Sequence, residues 1–372
     1  MVEARDMRVI GIPFAAGAAA GAVLIPAGMP SGSLLLPSCL AAVLLLLSVL
    51  PLSPLGKGLA KKYSVPWAAV SFCLAGVFCY LNGRLSAGTV IPPSPLEKLS
   101  LQCCESLKGC IDSIPYPSEG TGALVKALIT GDRTGLDKGT IETFRASGAS
   151  HILALSGLHL GIIYLILTKI TIPFGNSPAA RTARYSFIIA ASGFYAIMTG
   201  AAASITRAFL FILIGETGKL LGREREPWRV LLDALVIQLA LKPEVISTTG
   251  FQLSYLAMLG ICTIFPVLEG LYPEGTGLWG RIDPVRKTWN AAALSLSCQA
   301  FTAPLVWIRF HTFPQYFLLT NLIALPLTSA IMVLSVTTIA LSFLGICPDF
   351  LVCLDDQAVG ALTFCLEVIS SL

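Results

Sequence analysis

Gly148-Ala-Ser-His-Ile-Leu-Ala-Leu-Ser-Gly-Leu-His-Leu-Gly161 decides how this chain is read. It brings two of only three histidines, His151 and His159, together with Ser156-Gly157 to the start of a long apolar run. Polar side chains and a helix breaker are costly at such a point, because lipid offers their hydrogen-bonding groups no partner. They are tolerated where the backbone lines a protein-walled cavity. The stretch therefore predicts a membrane protein whose helices enclose a polar space.

The rest of the chain agrees. Of 372 residues, 55% are hydrophobic and only 12% charged, with a mean hydropathy of +0.79. A soluble domain carries roughly twice that charged fraction, so most of this surface faces lipid. Apolar runs near spanning length fall at about residues 10–29, 34–50, 65–83, 152–172, 185–199, 204–221, 230–242, 250–268, 289–308 and 317–345. A last run, about 351–372, is interrupted by Asp355-Asp356. The expectation is an all-α, polytopic bundle of about 10–11 transmembrane helices. The early succession of apolar runs favours retained helices over a cleaved leader.

Basic residues give an orientation. With a cytoplasmic N-terminus, one side holds Arg5 and Arg8; Lys57, Lys61 and Lys62; Arg181 and Arg184; Lys219, Arg223, Arg225 and Arg229; and Arg281, Arg286 and Lys287. That is more than half of the 25 Lys and Arg residues, and the short opposite loops hold little beyond Arg309 and Lys242. This satisfies the positive-inside rule. The exception, 84–150, is long enough for the rule to apply weakly.

That exception divides. Residues 86–120 are polar and Pro-rich and read as an external linker with an amphipathic helix near 96–112. Thr121–Thr130 is apolar but too short to span, Gly131-Asp-Arg-Thr-Gly135 breaks it, and Asp137 can N-cap a helix to about Ser147. An interfacial or re-entrant hairpin near 121–150 is expected. The domain reading is 1–85, N-terminal helices; 86–120, linker; 121–350, a channel-like domain; and 351–372, a terminal helix, possible mark of a truncated product.

Most of the eleven cysteines sit in apolar runs, as small hydrophobes. Cys103, Cys104 and Cys110 share a polar segment, where a pair can bridge if it faces an oxidising side. The three histidines lack metal-ligand spacing, so neither a metal nor another cofactor is expected. Catalysis is not expected either. Ser156 has no Gly-x-Ser-x-Gly elbow, Asp132, Asp233, Asp355 and Asp356 show no paired spacing, and no P-loop is present.

Polar residues instead collect toward one, outer, end: Asp132 and Arg133, His151, Ser156, Gly157 and His159, Arg207, Gln252, Arg309 and Asn321. Each has a bland reading. Arg207 and Arg309 suit snorkelling anchors, Gln252 and Asn321 interhelical hydrogen bonds, and Ser156 and His159 helix packing. Their convergence from five segments points to a wet, electropositive vestibule for an anionic substrate.

Leu128-Ile-Thr-Gly-Asp-Arg133, Ser150-His-Ile-Leu-Ala-Leu-Ser-Gly-Leu-His159, Ile205-Thr-Arg-Ala208, Gly250-Phe-Gln-Leu-Ser-Tyr-Leu-Ala257 and Asn321-Leu-Ile-Ala-Leu-Pro326 together resemble the ComEC competence family, over roughly residues 121–350. The resemblance implies a bacterial inner-membrane channel that passes single-stranded DNA during natural transformation. It also implies an external DNA receptor, a cytoplasmic ATP-driven motor and possible homo-oligomers embedded in membrane lipid. Long members carry an external oligonucleotide-binding (OB) barrel, for which 86–120 is too short, and a metallo-β-lactamase-like domain. The latter's His-x-His-x-Asp-His motif is absent from this sequence, so strand degradation is expected of a separate nuclease. On this reading Arg133, Arg145, His159, Arg207 and Arg309 make loose phosphate contacts, and Phe144, Phe251, Tyr255 and Phe310 offer stacking platforms. Two other readings stay open: a pore for another anionic solute on the same scaffold, or a non-functional truncated product. A membrane enzyme using Ser156 or His159 is a further rival.

Overall fold

A computed structural model describes residues 4–25, 31–49, 60–86, 92–175, 177–223, 226–272, 283–311 and 315–372. Of the basic set above, Lys57, Arg225 and Arg281 lie outside these residues, as do the side chains of Arg5, Arg8, Lys61 and Lys62. The described residues form sixteen α-helices and no strand.

Among the described residues, four helical segments are long and apolar enough to cross a membrane: Val65–Leu85, Gly157–Phe174, Pro284–Phe310 and Phe317–Phe343. Others are shorter or carry more charge. Val9–Leu24, Leu35–Ser48 and Thr121–Thr130 are apolar helices below spanning length. The chain is an all-helical membrane protein with multiple candidate spans.

The helices group into two units. The first comprises residues 1–92 and 210–252. It contains α1 (Ala4–Leu24), α2 (Leu35–Val49), α3 (Ala60–Ser86) and α11 (Pro227–Leu241), with α1 packed along α3 and against α11. The α1–α3 approach depends on two glycines. A Cβ on Gly17 would overlap the Cys73 carbonyl, and one on Gly76 would overlap the Phe14 carbonyl. Small residues at a helix crossing let backbones meet closely, which supplies packing where lipid supplies no hydrophobic drive.

The second unit comprises residues 93–209 and 253–372. Its core joins α4 (Pro95–Ser113), α5 (Thr121–Thr130), α6 (Lys138–Ala146) and α7 (Ser150–Leu153) to α15 (Phe317–Phe343) and α16 (Asp349–Ser370). Ile111, Leu124, Val125, Phe144, Ile152, Ile331 and Leu362 are among its buried members. Helices α8 (Gly157–Ile170) and α9 (Pro178–Met198) pack together, and α8 also meets α15. α14 (Pro284–Phe310) packs on α13 (Phe265–Glu269) and α15.

Local chemistry explains the element ends. α4 opens with a capping box, Ser94 and Glu97 bonding reciprocally, and Pro95 occupies the position that needs no N–H donor. α5 ends at Gly131 in the left-handed region, φ 81°. Asp137 caps α6 by accepting from the Thr140 N–H at 2.9 Å. Three long contacts fix these short helices. The Tyr195 hydroxyl donates to the Ile129 carbonyl at 2.7 Å, Thr320 Oγ1 donates to the Ser147 carbonyl at 2.7 Å, and Lys126 pairs with Asp112.

Cys103, Cys104 and Cys110 are free thiols on α4. At 1.5 Å rise per residue, Cys110 stands about 9–10 Å along the axis from Cys104 and Cys103, beyond disulfide reach.

Candidate functional site

The apolar run at 152–172 is not one helix. α7 stops at Leu153, Ala154 and Leu155 are extended or irregular, and α8 begins at Gly157. His151 and His159 therefore sit on different helices, where a single helix had been expected. His151 is exposed, with Nδ1 3.2 Å from the Gly148 carbonyl. Ser156 is the N-cap of α8. Its Oγ accepts from the Leu158 N–H at 3.3 Å, and the Ser156 N–H donates to His159 Nδ1 at 3.1 Å. This is a capping box in which histidine takes the place of the usual Glu or Gln.

The capping box sets the tautomer. A backbone N–H can only donate, so Nδ1 must be the unprotonated nitrogen and Nε2 carries the hydrogen. His159 is fully buried, and among the described residues Nε2 has no partner.

The break is held from outside by the Gly131-Asp-Arg133 turn. A Cβ at Gly131 would collide with the Leu155 side chain, so only glycine lets Leu155 pack there. Arg133 Nε donates to the Leu153 carbonyl at 2.9 Å, satisfying the end of α7. Asp132 accepts from the Thr134 hydroxyl at 2.7 Å and lies 2.9 Å from Lys108 Nζ on α4. The Thr134 hydroxyl and the Lys108 ammonium hold the Asp132 carboxyl well below the usual carboxylate range. The same ion pair, together with Glu105, pushes Lys108 above the usual lysine range.

Arg207 lies in the second turn of α10 (Ala203–Leu220). Its Nη1 donates to the Ser254 carbonyl of α12 (Thr249–Thr263), and Cζ stands 5.9 Å from the centroid of the Tyr255 ring. Its Nη2 covers Gly157, where a Cβ would come within 3.1 Å of that nitrogen. One guanidinium thus touches the first turn of α8 and the N-terminal halves of α10 and α12. Helix N-termini carry partial positive charge, and among the described residues no carboxylate pairs with Arg207. The arrangement concentrates positive potential with no protein anion to neutralise it.

The other expected residues are placed differently. Asn321, in the first turn of α15, is half-buried with Oδ1 unpartnered. The amide Nε2 of Gln252 donates to the Ile246 carbonyl at 2.9 Å, serving its own turn in the first unit. Arg145 is exposed and lies 3.7 Å from Glu142 on the same helix. Arg309 is exposed near the end of α14. Of the aromatic platforms, Phe144 (0% exposed) and Phe251 (4%) are buried, which rules out stacking on a passing base, whereas Phe310 is exposed. Tyr255, expected as a stacking platform, has Arg207 over its ring, whereas Lys108, Leu155 and Ser254 were not foreseen as members of the site. Their roles come from contacts across long stretches of chain and, for Ser254, from a backbone carbonyl that no side-chain pattern signals.

Residues 128–372 match a family model described as competence protein. The chain is similar to the ComE operon protein 3 of Bacillus subtilis (strain 168), 27% identical over 211 residues, covering 56% of this chain and 25% of that protein. It is also similar to the competence protein ComA of Neisseria gonorrhoeae, 27% identical over 214 residues, covering 56% and 29%. A third relative is the uncharacterized protein YcaI of Escherichia coli (strain K12), 26% identical over 257 residues, covering 68% and 32%. The chain thus spans about a quarter to a third of the length of the curated relatives it matches. No solved structure matches it. The matched region takes in the Gly131 turn, the α7–α8 break, Arg207 and Asn321, and runs on through α16 to Leu372: the chain belongs to the competence protein family.

Proposed function

We propose that this chain conducts single-stranded DNA across a bacterial inner membrane, as a passage and not as an enzyme. The observation that carries the reading is Arg207, a charge without a carboxylate partner set among helix starts of α8, α10 and α12. Single-stranded DNA presents a phosphate at every nucleotide, and its passage needs loosely held positive groups in a lipid-free path. His159, Asn321, Arg133 and the exposed Arg145 and Arg309 belong to the same path. The N-terminus is cytoplasmic on the charge distribution, so the starts of α8, α10, α12 and α15 face outward. Strand degradation, delivery of DNA and driving force come from an external receptor, a separate nuclease and a cytoplasmic ATP-driven motor.

The test is uptake of labelled DNA by a deletion strain carrying wild-type, Arg207→Gln or Arg207→Lys protein at matched membrane abundance. Arg207→Gln is expected to lower uptake, with Lys retaining part of it and the deficit growing at low ionic strength. Unchanged uptake with Arg207→Gln would remove the residue from the path. Efflux of small organic anions from proteoliposomes, with no DNA uptake, would establish the alternative reading as a pore for another anionic solute.

A further inference from the structure

A second polar feature lies away from Arg207, along α15. This helix is among the most apolar in the chain, yet it carries Asn321, Thr328 and Ser335 at seven-residue intervals. Seven residues are just under two turns, so the three share one stripe that drifts only about 20° per step. Thr328, Ser335 and Thr338 are fully buried.

Two of these hydroxyls behave unusually. On the same helix, Ser329 and Thr337 fold back onto the carbonyls of Leu325 and Val333, the ordinary solution for such residues. Thr328 and Thr338 do not, and their Oγ1 atoms have no partner. A buried hydroxyl left unpaired is a cost that an exchanging proton or a passing water would relieve.

The stripe meets α16 at Asp355. Ser335 Oγ donates to Asp355 Oδ2 at 2.8 Å, and the Tyr116 hydroxyl donates to the same oxygen at 3.1 Å. Asp355 is 0% exposed, and its Oδ1 has no partner. Its neighbour Asp356 is fully served: it accepts from Thr121 Oγ1 at 2.6 Å, Ser118 Oγ at 2.8 Å and the Ser118 N–H at 3.2 Å. Asp355, by contrast, has one bare oxygen, within a core of aliphatic side chains.

Among the described residues, no cation answers the pair. The titratable groups facing Asp355 are Asp356 and Tyr116, and α15 offers Ser335. On α5, Lys126 is committed to Asp112, and on α6 Lys138, Glu142 and Arg145 are exposed. Among the described residues, no third acidic, histidine or cysteine side chain completes a metal site. Two adjacent buried carboxylates without a counter-ion cannot both stay ionised cheaply.

We propose that Asp355 is a proton-binding site whose proton sits on Oδ1 and exchanges with solvent along the hydroxyl stripe of α15. The step is a simple ionisation: the O–H bond of the carboxyl breaks, its electron pair stays on Oδ1, and the proton passes to a water admitted beside Oδ1, which hands a proton on along the stripe as each hydroxyl accepts one and releases its own. No redox partner is involved. Asp355 makes no contact used in the Arg207 reading, and its test contains no nucleic acid, so either reading can fail alone.

The experiment is infrared difference spectroscopy on the full chain in nanodiscs, titrated with pH and exchanged into D2O. Wild type is expected to show a protonated-carboxyl band that shifts in D2O, is absent in Asp355→Asn and persists in Asp356→Asn. Thr328→Val with Thr338→Val is expected to slow the D2O shift several-fold. If Asp355→Asn does not fold, Tyr116→Phe serves instead, since losing that donor must move the band. Absence of the band at every pH, or its survival in Asp355→Asn, overturns the site. Its displacement by sodium at constant pH makes it a metal-cation site and also overturns the proposal. Unaltered exchange in the double valine variant overturns the route.

Discussion

Replacing Arg207 tests the geometry that the functional reading depends on. Arg207→Met keeps the bulk of the side chain and removes the charge. The lost interactions are a charged hydrogen bond to the Ser254 carbonyl, worth about 1.5–3 kcal/mol, and the attraction to the Tyr255 ring. Removing a half-buried guanidinium also relieves its desolvation, so the net change in stability is smaller than the gross loss. A double-mutant cycle isolates the ring term. The Cζ-to-centroid distance of 5.9 Å is near the outer limit for such contacts, which places the coupling at the low end, about 0.5–1 kcal/mol. That corresponds to roughly a two- to five-fold change in the unfolding equilibrium constant. The assay is unfolding in mixed micelles of wild type, Arg207→Met, Tyr255→Leu and the double variant, with Tyr255→Phe as a control that keeps the ring. Coupling is expected with Leu and absent with Phe. Zero coupling in the Arg207/Tyr255→Leu cycle would refute the placement of the guanidinium over the ring.

Three further outcomes follow from other contacts. Gly17→Ala puts a Cβ into the Cys73 carbonyl, must push α1 away from α3, and is expected to cost about 1–3 kcal/mol in micelle unfolding; an unchanged midpoint would contradict the close approach. Ser156→Ala deletes the N-cap of α8 at a cost of about 0.5–2 kcal/mol, whereas Ser156→Gly costs only a few tenths, a ranking that thermal melts of the two variants check. Asp132 has a folded-state pKa below its unfolded value, so its stabilising pair with Lys108 is fully present above the ordinary carboxylate range. That contribution fades as pH falls through the range and below it. Melting of Asp132→Asn against wild type should therefore differ at neutral pH and converge in acid, and a gap that widens on acidification would be the wrong sign.

How much of this was legible beforehand differs by residue. The α5 helix, the Gly131 stop and the Asp137 cap were readable, because an apolar run followed by glycine and a short acceptor side chain dictates local backbone shape. The Ser156-x-x-His159 capping box was not read from its spacing, and the break before it was hidden too: Ala154 and Leu155 are good helix formers, and only the Leu155–Gly131 and Arg133–Leu153 contacts fix them otherwise. Arg145 and Arg309 resembled Arg207 in sequence, yet the first two are exposed. A lone arginine in an apolar stretch does not reveal what stands opposite it. The Asp355-Asp356 pair looked like an interruption of a terminal run, and the donors that surround it come from residues over 200 positions away and from Ser335.

By itself, the sequence determined the solvent this chain occupies, its helical class and those helix ends, such as Gly131 and Asp137, that local side chains dictate. Those are properties of composition and of side chains acting on their own backbone. Tertiary structure alone decided which polar groups are answered and which are left open: Arg133 and Asp132 tied down, Arg207 without an anion, and Asp355 without a counter-ion. The physical reason is that a buried polar group is defined by its partner, and in a helical membrane protein that partner lies on another helix, at a sequence distance no local pattern records.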